Sequence, residues 1–399
     1  MQYTQTGQVL ALPVYIYKER KMVNVDYLIR GGRVIDPYRN FDGIADVAIL
    51  NGKIVDAKEA KEAKVVVDAT GCIVTPGLID YHCHLGQFST DLGYAAESVC
   101  FSSGVTTAVD AGSYGSSTYE GFRWFSLNSK LRQKAYLYVR AVGQPSHHLP
   151  DNVESTGTDV AKSLRMLEQY KDQLLGLKIR QGAESVNGTG LQPLKDALAL
   201  AEKANVPLVV HTSNSPEPVE NIARMLRPGD VFTHMYQGKS TTYVKTKEQV
   251  EELKEHQKRG VIFCCANGAN HFTFKVADLC IKEGLYPDVI STDLTTKTCL
   301  IPGKGFSLPF IMSKYLMLGL PLAQIIKAVT TTPAKILGEE KNLGSLCEGT
   351  CADVTISRIV EHKVTFGDSD GVERVGEQVV KTEMTLRAGE PVFRQIDFL

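Results

Sequence analysis

Polar and apolar positions fall into two textures along the chain. From about residue 23 to 75, short alternating stretches such as "VDYLIRGGRVIDP", "ADVAILNGKIVDA" and "KVVVDATGCIVTP" are punctuated by G-G and N-G turn signals. That period of two predicts antiparallel strands. An apolar stretch from Val9 to Tyr17, broken by Pro13, suits one more early strand. After residue 73 the alternation gives way to nearly continuous β-branched runs. They are "CIVTPGLIDYHCH", "GVTTAVDAG", "KAYLYVRAVG", "LLGLKIRQG", "VPLVVHTS", "DVFTHMYQG", "GVIFCCANG" and "DVISTDL". Amphipathic segments such as "LQPLKDALALAEKA" and "KTKEQVEELKEHQKRG" lie between them. Apolar strands alternating with helices belong to a parallel sheet covered on its faces.

Eight such units predict a (β/α)8 TIM barrel over residues 73–340. Beyond it "GSLCEGTCADVTISRI" and the closing residues return to strand texture, so segments 1–72 and 341–399 are expected to pair into a small β-sandwich. The alternative, a doubly wound open sheet, needs fewer strands or a Gly-rich phosphate loop after the first. The chain has neither.

Composition narrows the partners. The 399 residues carry a formal net charge of −1, so nothing suggests a polyanion partner such as nucleic acid. No apolar run approaches the roughly 18 to 20 residues that cross a bilayer, and the N-terminus lacks the basic start and small-residue cleavage site of a signal peptide. Nine cysteines are scattered without a framework of spacings, as in reduced proteins. A cytoplasmic protein acting on a small molecule is expected, as a homo-oligomer, without nucleic acid or membrane.

In such barrels the chemistry sits at the C-terminal ends of the strands. "PGLIDYHCHLGQ" places His82 and His84 there, on one face by strand alternation. Lys178 follows in "GLKIR", His211 in "VVHTS", His234 in "FTHMYQG" and Asp293 in "ISTDL". Each alone has a bland reading: a polar strand end, or a lysine snorkelling to a salt bridge. Together they bring four of nine histidines to one rim. Imidazoles with a carboxylate suit zinc first, with manganese, iron or cobalt as substitutes. A cationic lysine would be repelled by metal and starved of solvent, so its neutral amine is favoured. That amine can add carbon dioxide, and the resulting carbamate has two oxygens able to bridge two divalent metals.

These residues, with "TTTPAKILG…GSLCEGTCADV" where the chain leaves the barrel, resemble the amidohydrolase superfamily of metal-dependent hydrolases over nearly the whole chain. The likeness is greatest to its dihydroorotase-like, amidohydrolase/deacetylase branch. The resemblance implies that His82, His84 and Asp293 hold one metal and that His211 and His234 hold the other. It implies a carboxylated Lys178 between them, and Asp293 as the catalytic proton carrier. The implied reaction is hydrolysis of an amide or acyl ester, deacylating a small N-acyl or O-acyl carboxylic acid by metal-activated water. A cyclic amide hydrolase is the alternative, followed by an adenine deaminase-like enzyme and a non-catalytic scaffold. "HCHLGQFSTDLG" lacks the arginine that a dihydroorotase would want after strand one.

Substrate contacts are expected at the rim. Arg180, two residues beyond Lys178, faces inward by alternation and could grip a carboxylate, or pair with an acid such as Asp110. Tyr114 after strand two, Asn267 and His271 after strand seven, and Lys304 after strand eight complete the candidates. The long loop "TKTCLIPGKGFSLP" could cover the site, bending at Gly303 and Gly305. Ser291 and Cys265 have no evident base partner and read as packing.

Overall fold

One apolar run, residues 72–84, feeds two different sheets. The computed structural model describes residues 22–144, 157–303 and 305–398. The stretch from Val9 to Tyr17 and Lys304 lie outside the described residues. The first sheet takes β1 (Val23–Asp36), β2 (Phe41–Leu50), β3 (Lys53–Val55), β4 (Ala60–Asp68) and β5 (Ile73–Pro76) from the N-terminal part of the chain. The barrel follows: β6 (Leu78–Cys83), β7 (Val105–Asp110), β8 (Arg132–Tyr138), β9 (Leu174–Arg180), β10 (Leu208–His211), β11 (Val231–Thr233), β12 (Ile262–Ala266) and β13 (Val289–Ser291). Then β14 (Val354–Gly367), β15 (Glu373–Arg387) and β16 (Glu390–Arg394) return to the first sheet, whose order is β16-β15-β14-β5-β1-β2-β3 with β4 also on β1.

The first of the eight runs therefore needs correcting. Its "IVTP" portion pairs with β1 and β14, and only the residues after Gly77 enter the barrel. Both parts are fully buried, so apolar periodicity cannot mark the switch. Gly77 marks it instead. Its N–H donates to the Asp353 carbonyl at 2.8 Å, and a Cβ there would lie 2.3 Å from Thr106 Oγ1.

The mixed sheet folds on itself where β1 changes partner. β1 pairs with β4 as far as Arg30 and with β5 from Arg33, across Gly31 at φ 70°. Ile29, Val47, Ile49 and Val67 thereby join Val354, Ile356, Met384 and Leu386 in one buried layer, so the two ends of the chain share a core.

The eight barrel strands run parallel in chain order. The ring closes between its ends: Asp293 N–H donates to His82 carbonyl at 2.7 Å, and His84 N–H donates to Leu294 carbonyl at 2.9 Å. Ile79, Tyr81, Val109, Tyr136, Val209, Val231, Cys264 and Val289 fill the interior, so the barrel is a packed core that leaves only its rim for chemistry. Among the described residues no helix is long and apolar enough to cross a membrane.

Two contacts tie the sheet to the barrel. At the base, Arg132 of β8 meets Asp353 just before β14 at 2.6 Å, and Asp353 also accepts Ala388 N–H at 2.8 Å. Burial raises the Asp353 carboxyl, but Arg132 outweighs it and holds it below the usual carboxylate range. A folded-state pKa below the unfolded one adds stability that is present at neutral pH and lost as pH falls through the folded value. Asp353→Asn should cost about 3–5 kcal/mol in urea unfolding, because Arg132 is left buried without its counter-charge. An unchanged unfolding midpoint would show that the pair contributes nothing. At the rim, the β14–β15 hairpin tip rests on the loop after β12. Ser369 N–H donates to Phe272 carbonyl at 2.9 Å, Phe274 N–H to Asp368 Oδ2 at 3.0 Å, and Lys275 pairs with Asp370 at 2.7 Å.

Candidate metal centre

Six side chains from the ends of five strands meet at the C-terminal rim: His82, His84, Lys178, His211, His234 and Asp293. None is more than 7% exposed. Asp293 Oδ1 stands 3.6 Å from His82 Nε2 and 3.5 Å from His84 Nε2. Lys178 Nζ lies 3.4 Å from His82 Nε2. The rings of His211 and His234 are 4.5 Å apart at their centroids, and those of His82 and His234 are 5.3 Å apart.

Local backbone devices aim these groups. β6 loses register against β7 between Asp80 and Cys83. Tyr81 and His82 thus both turn inward, Cys83 packs outward, and His84 turns inward again. Such a bulge re-aims a side chain beside a functional site. His234 (φ 61°) and Asp293 (φ 54°) both adopt the left-handed conformation, which non-glycine residues hold only where their surroundings enforce it. Gly268 makes room for Asp293, since a Cβ would sit 2.5 Å from its Oδ2. Gly112, at φ 92°, lets the Lys178 stem pass; a Cβ would sit 2.5 Å from Lys178 Cγ.

Hydrogen bonds then fix which ring nitrogen faces the centre. Ser113 Oγ donates to Asp110 Oδ2 at 2.7 Å, so the contact at 2.8 Å with His84 Nδ1 is one in which the imidazole donates. That leaves the Nε2 lone pair pointing toward Asp293. Asp110 is itself held by the N–H groups of Leu85, Gly112 and Ser113. His234 Nδ1 donates to the Ala266 carbonyl at 2.9 Å, freeing its Nε2 in the same way. His211 Nε2 is buried with no hydrogen-bond partner among the described residues, which a folded chain tolerates where something else is to be bound.

Electrostatics favours the protonation states that bind cations. Burial pushes His82, His211 and His234 well below the usual imidazole range, so they are neutral donors. Burial lowers the Lys178 amine to about 8. For Asp293 burial acts upward, but its contacts with His84 and with the His271, His82 and His234 rings prevail and hold the carboxylate well below its usual range. Neutral imidazoles, an ionised carboxylate and an amine with a sizeable neutral fraction are the chemistry of a divalent-cation site, and the donor set fits one.

The substrate-side candidates separate. His271 is brought into the cluster: its ring stands 4.2 Å from His234 and 5.0 Å from His211, and its Nε2 lies 3.6 Å from Asp293 Oδ2. Arg180 is paired with Glu184 at 2.8 Å rather than with Asp110. Tyr114 is not brought in. It stacks on Phe122 at 4.6 Å, and its hydroxyl donates to the Leu85 carbonyl at 2.9 Å. Asn267 is fully buried and directs its amide at the carbonyls of Cys265 and Ser291, in the barrel wall. The Asp110–Ser113 support of His84 is absent from the sequence expectation. Its trace is "DAGS" at the end of strand two, an acid and a hydroxyl at the rim.

The chain is similar to known proteins over most of its length. The profile described as "Amidohydrolase family" matches residues 73–375. A deacetylase of Agrobacterium fabrum is 31% identical over 327 residues, covering 80% of each chain. Among solved structures, an adenine deaminase superposes with a TM-score of 0.82 at 25% identity, over 93% of this chain and 100% of its own. A dihydroorotase does so with a TM-score of 0.81 at 27% identity, over 92% and 98%.

Proposed function

Because the chain belongs to the amidohydrolase family, and is thus a hydrolase acting on carbon–nitrogen bonds, we propose that it deacylates a small N-acyl or O-acyl carboxylic acid at a two-cation centre. One observation carries this reading: His82, His84 and Asp293 on one side, and His211 and His234 on the other, converge about the Lys178 amine. With Lys178 as a carbamate between the halves, two divalent cations would supply Lewis acidity and a water acidified toward neutral pH.

The chain's own residues do the rest. Asp293 Oδ1 faces His82 and His84, whereas Oδ2 faces the loop after β12. In this reading Oδ2 takes the proton from water and delivers it to the leaving nitrogen or oxygen. Ser113 and Asp110 keep His84 from rotating, and the Ala266 carbonyl does the same for His234. Arg180 at the end of β9 is the cation proposed for the substrate carboxylate, with Glu184 as its partner at rest.

Acyl removal is favoured over ring opening by the deacetylase likeness and by the absence of an arginine in "HCHLGQFSTDLG". The test is elemental analysis of purified protein followed by a panel of N-acyl amino acids, acyl hydroxy acids, dihydroorotate, hydantoins and adenine. Two divalent cations per chain are expected, with acyl acids turned over and all activity lost with chelator. Activity that survives complete metal removal would sink the proposal. Faster turnover of dihydroorotate than of any acyl acid would replace it with ring opening.

A further inference from the structure

The rim holds one more imidazole than the six-residue pattern accounts for. We propose that His271 is a third nitrogen donor to the cation held by His211 and His234, making that half of the centre a three-histidine site. The inference rests on the two-cation reading above and adds a ligand to it.

Geometry carries it. One ligand atom each from His211, His234 and His271 lie within 4.8 Å of one another, just as those of His82, His84 and Asp293 do. Donors to a single zinc stand about 2.0–2.1 Å from the ion, so atoms this close need only small ring rotations to share one. His271 Nδ1 is engaged by Ser213 Oγ at 2.8 Å, two residues beyond His211, which turns Nε2 toward the cluster. The 3.6 Å from that Nε2 to Asp293 Oδ2 is too long for a hydrogen bond, so Asp293 does not explain where the ring points.

The supporting backbone is built for the same end. A Cβ at Gly268 would lie 3.0 Å from His271 Cδ2, so the loop packs closely on the ring as well as, more tightly, on Asp293. Phe272 and Phe274, which follow His271 and flank Thr273, are pinned by the β14–β15 hairpin through Ser369 and Asp368. A ring reaching loosely for substrate needs none of this; a ligand that must return to one place does. Three neutral imidazoles would also bias this half of the centre toward zinc or cobalt and away from manganese.

The test reads the cation directly. His271→Ala and His271→Gln proteins are stripped, reloaded with cobalt or zinc, and titrated against a chromophoric chelator, with the cobalt absorption bands recorded. Expected are two cations in the wild type and, in both variants, one bound at least tenfold more weakly with altered bands; the other is unchanged. Added imidazole should restore the bands in His271→Ala. Wild-type affinities and bands in both variants overturn the inference, and a fall in turnover alongside them would place His271 against substrate. Thermal melting verifies the fold, and the glutamine variant decides should the alanine variant unfold. A wild type that binds no cation overturns the proposed function itself, a result distinguishable from unchanged variants.

Discussion

Replacing Asp293 with asparagine should lower kcat by about 10²- to 10⁴-fold, the contribution usual for a positioned proton-transfer group. The substitution is chosen for what it preserves. Asparagine has the same shape, and with aspartate it is among the residues that best tolerate the left-handed backbone at φ 54°, so the turn that closes the barrel survives. What it removes is the charge and the ability to take a proton at Oδ2. A cation held by His82 and His84 would lose a ligand, so turnover is measured at saturating metal. The cation proposed for His211 and His234 would keep its donors, and elemental analysis should still find it. A loss of less than tenfold under those conditions would mean that another group carries the proton.

Lys178→Ala should empty the centre more completely than any other single change, because its carbamate is the one ligand proposed to serve both cations. The amine is buried, and its neighbourhood suits the modification. At pH 7 a pKa of about 8 leaves on the order of a tenth of the amines neutral, whereas the ordinary lysine value leaves well under a thousandth. Carbon dioxide adds only to the neutral form. Reloading metal-free wild type at a fixed concentration of dissolved carbon dioxide should therefore quicken as pH rises toward 8 and level off above it. The alanine variant should bind metal poorly at every pH, and a short carboxylic acid in solution should partly restore binding by filling the vacated space beside Gly112. Full metal content in Lys178→Ala, or a wild-type lysine that takes up no isotopically labelled bicarbonate, would exclude the carbamate.

The barrel and the mixed sheet are legible because strand texture differs between them. Alternation reports a half-solvated face, and continuous runs report burial on both. His82 and His84 were legible for a related reason, since two histidines one residue apart at a strand end must share a face. What failed to be legible has one physical origin. A loop has no periodicity, so nothing in "DAGSYG" or "ANGANH" tells which side chain turns to the pocket. Tyr114 and Asn267 turn into the wall, while His271 turns into the ligand cluster. Arg180 pairs with Glu184, which comes from the short helix Ala183–Val186 that follows and whose direction strand alternation does not specify. Gly77 escaped because a run buried throughout looks the same on both sides of a change of sheet.

The hairpin that reaches from β14 and β15 to the loop after β12 changes what counts as a transferable part of this enzyme. Residues 272–275 are fastened to residues 368–370, about a hundred positions later and in the other sheet, by hydrogen bonds from main-chain N–H groups and an ion pair. A chimera that exchanges the loop with a relative's and keeps the native hairpin would inherit a bracket cut for a different shape. Within a family that diversifies by varying its rim, this loop and that tip form a single unit of exchange, so a record of one changing should carry a matching change in the other.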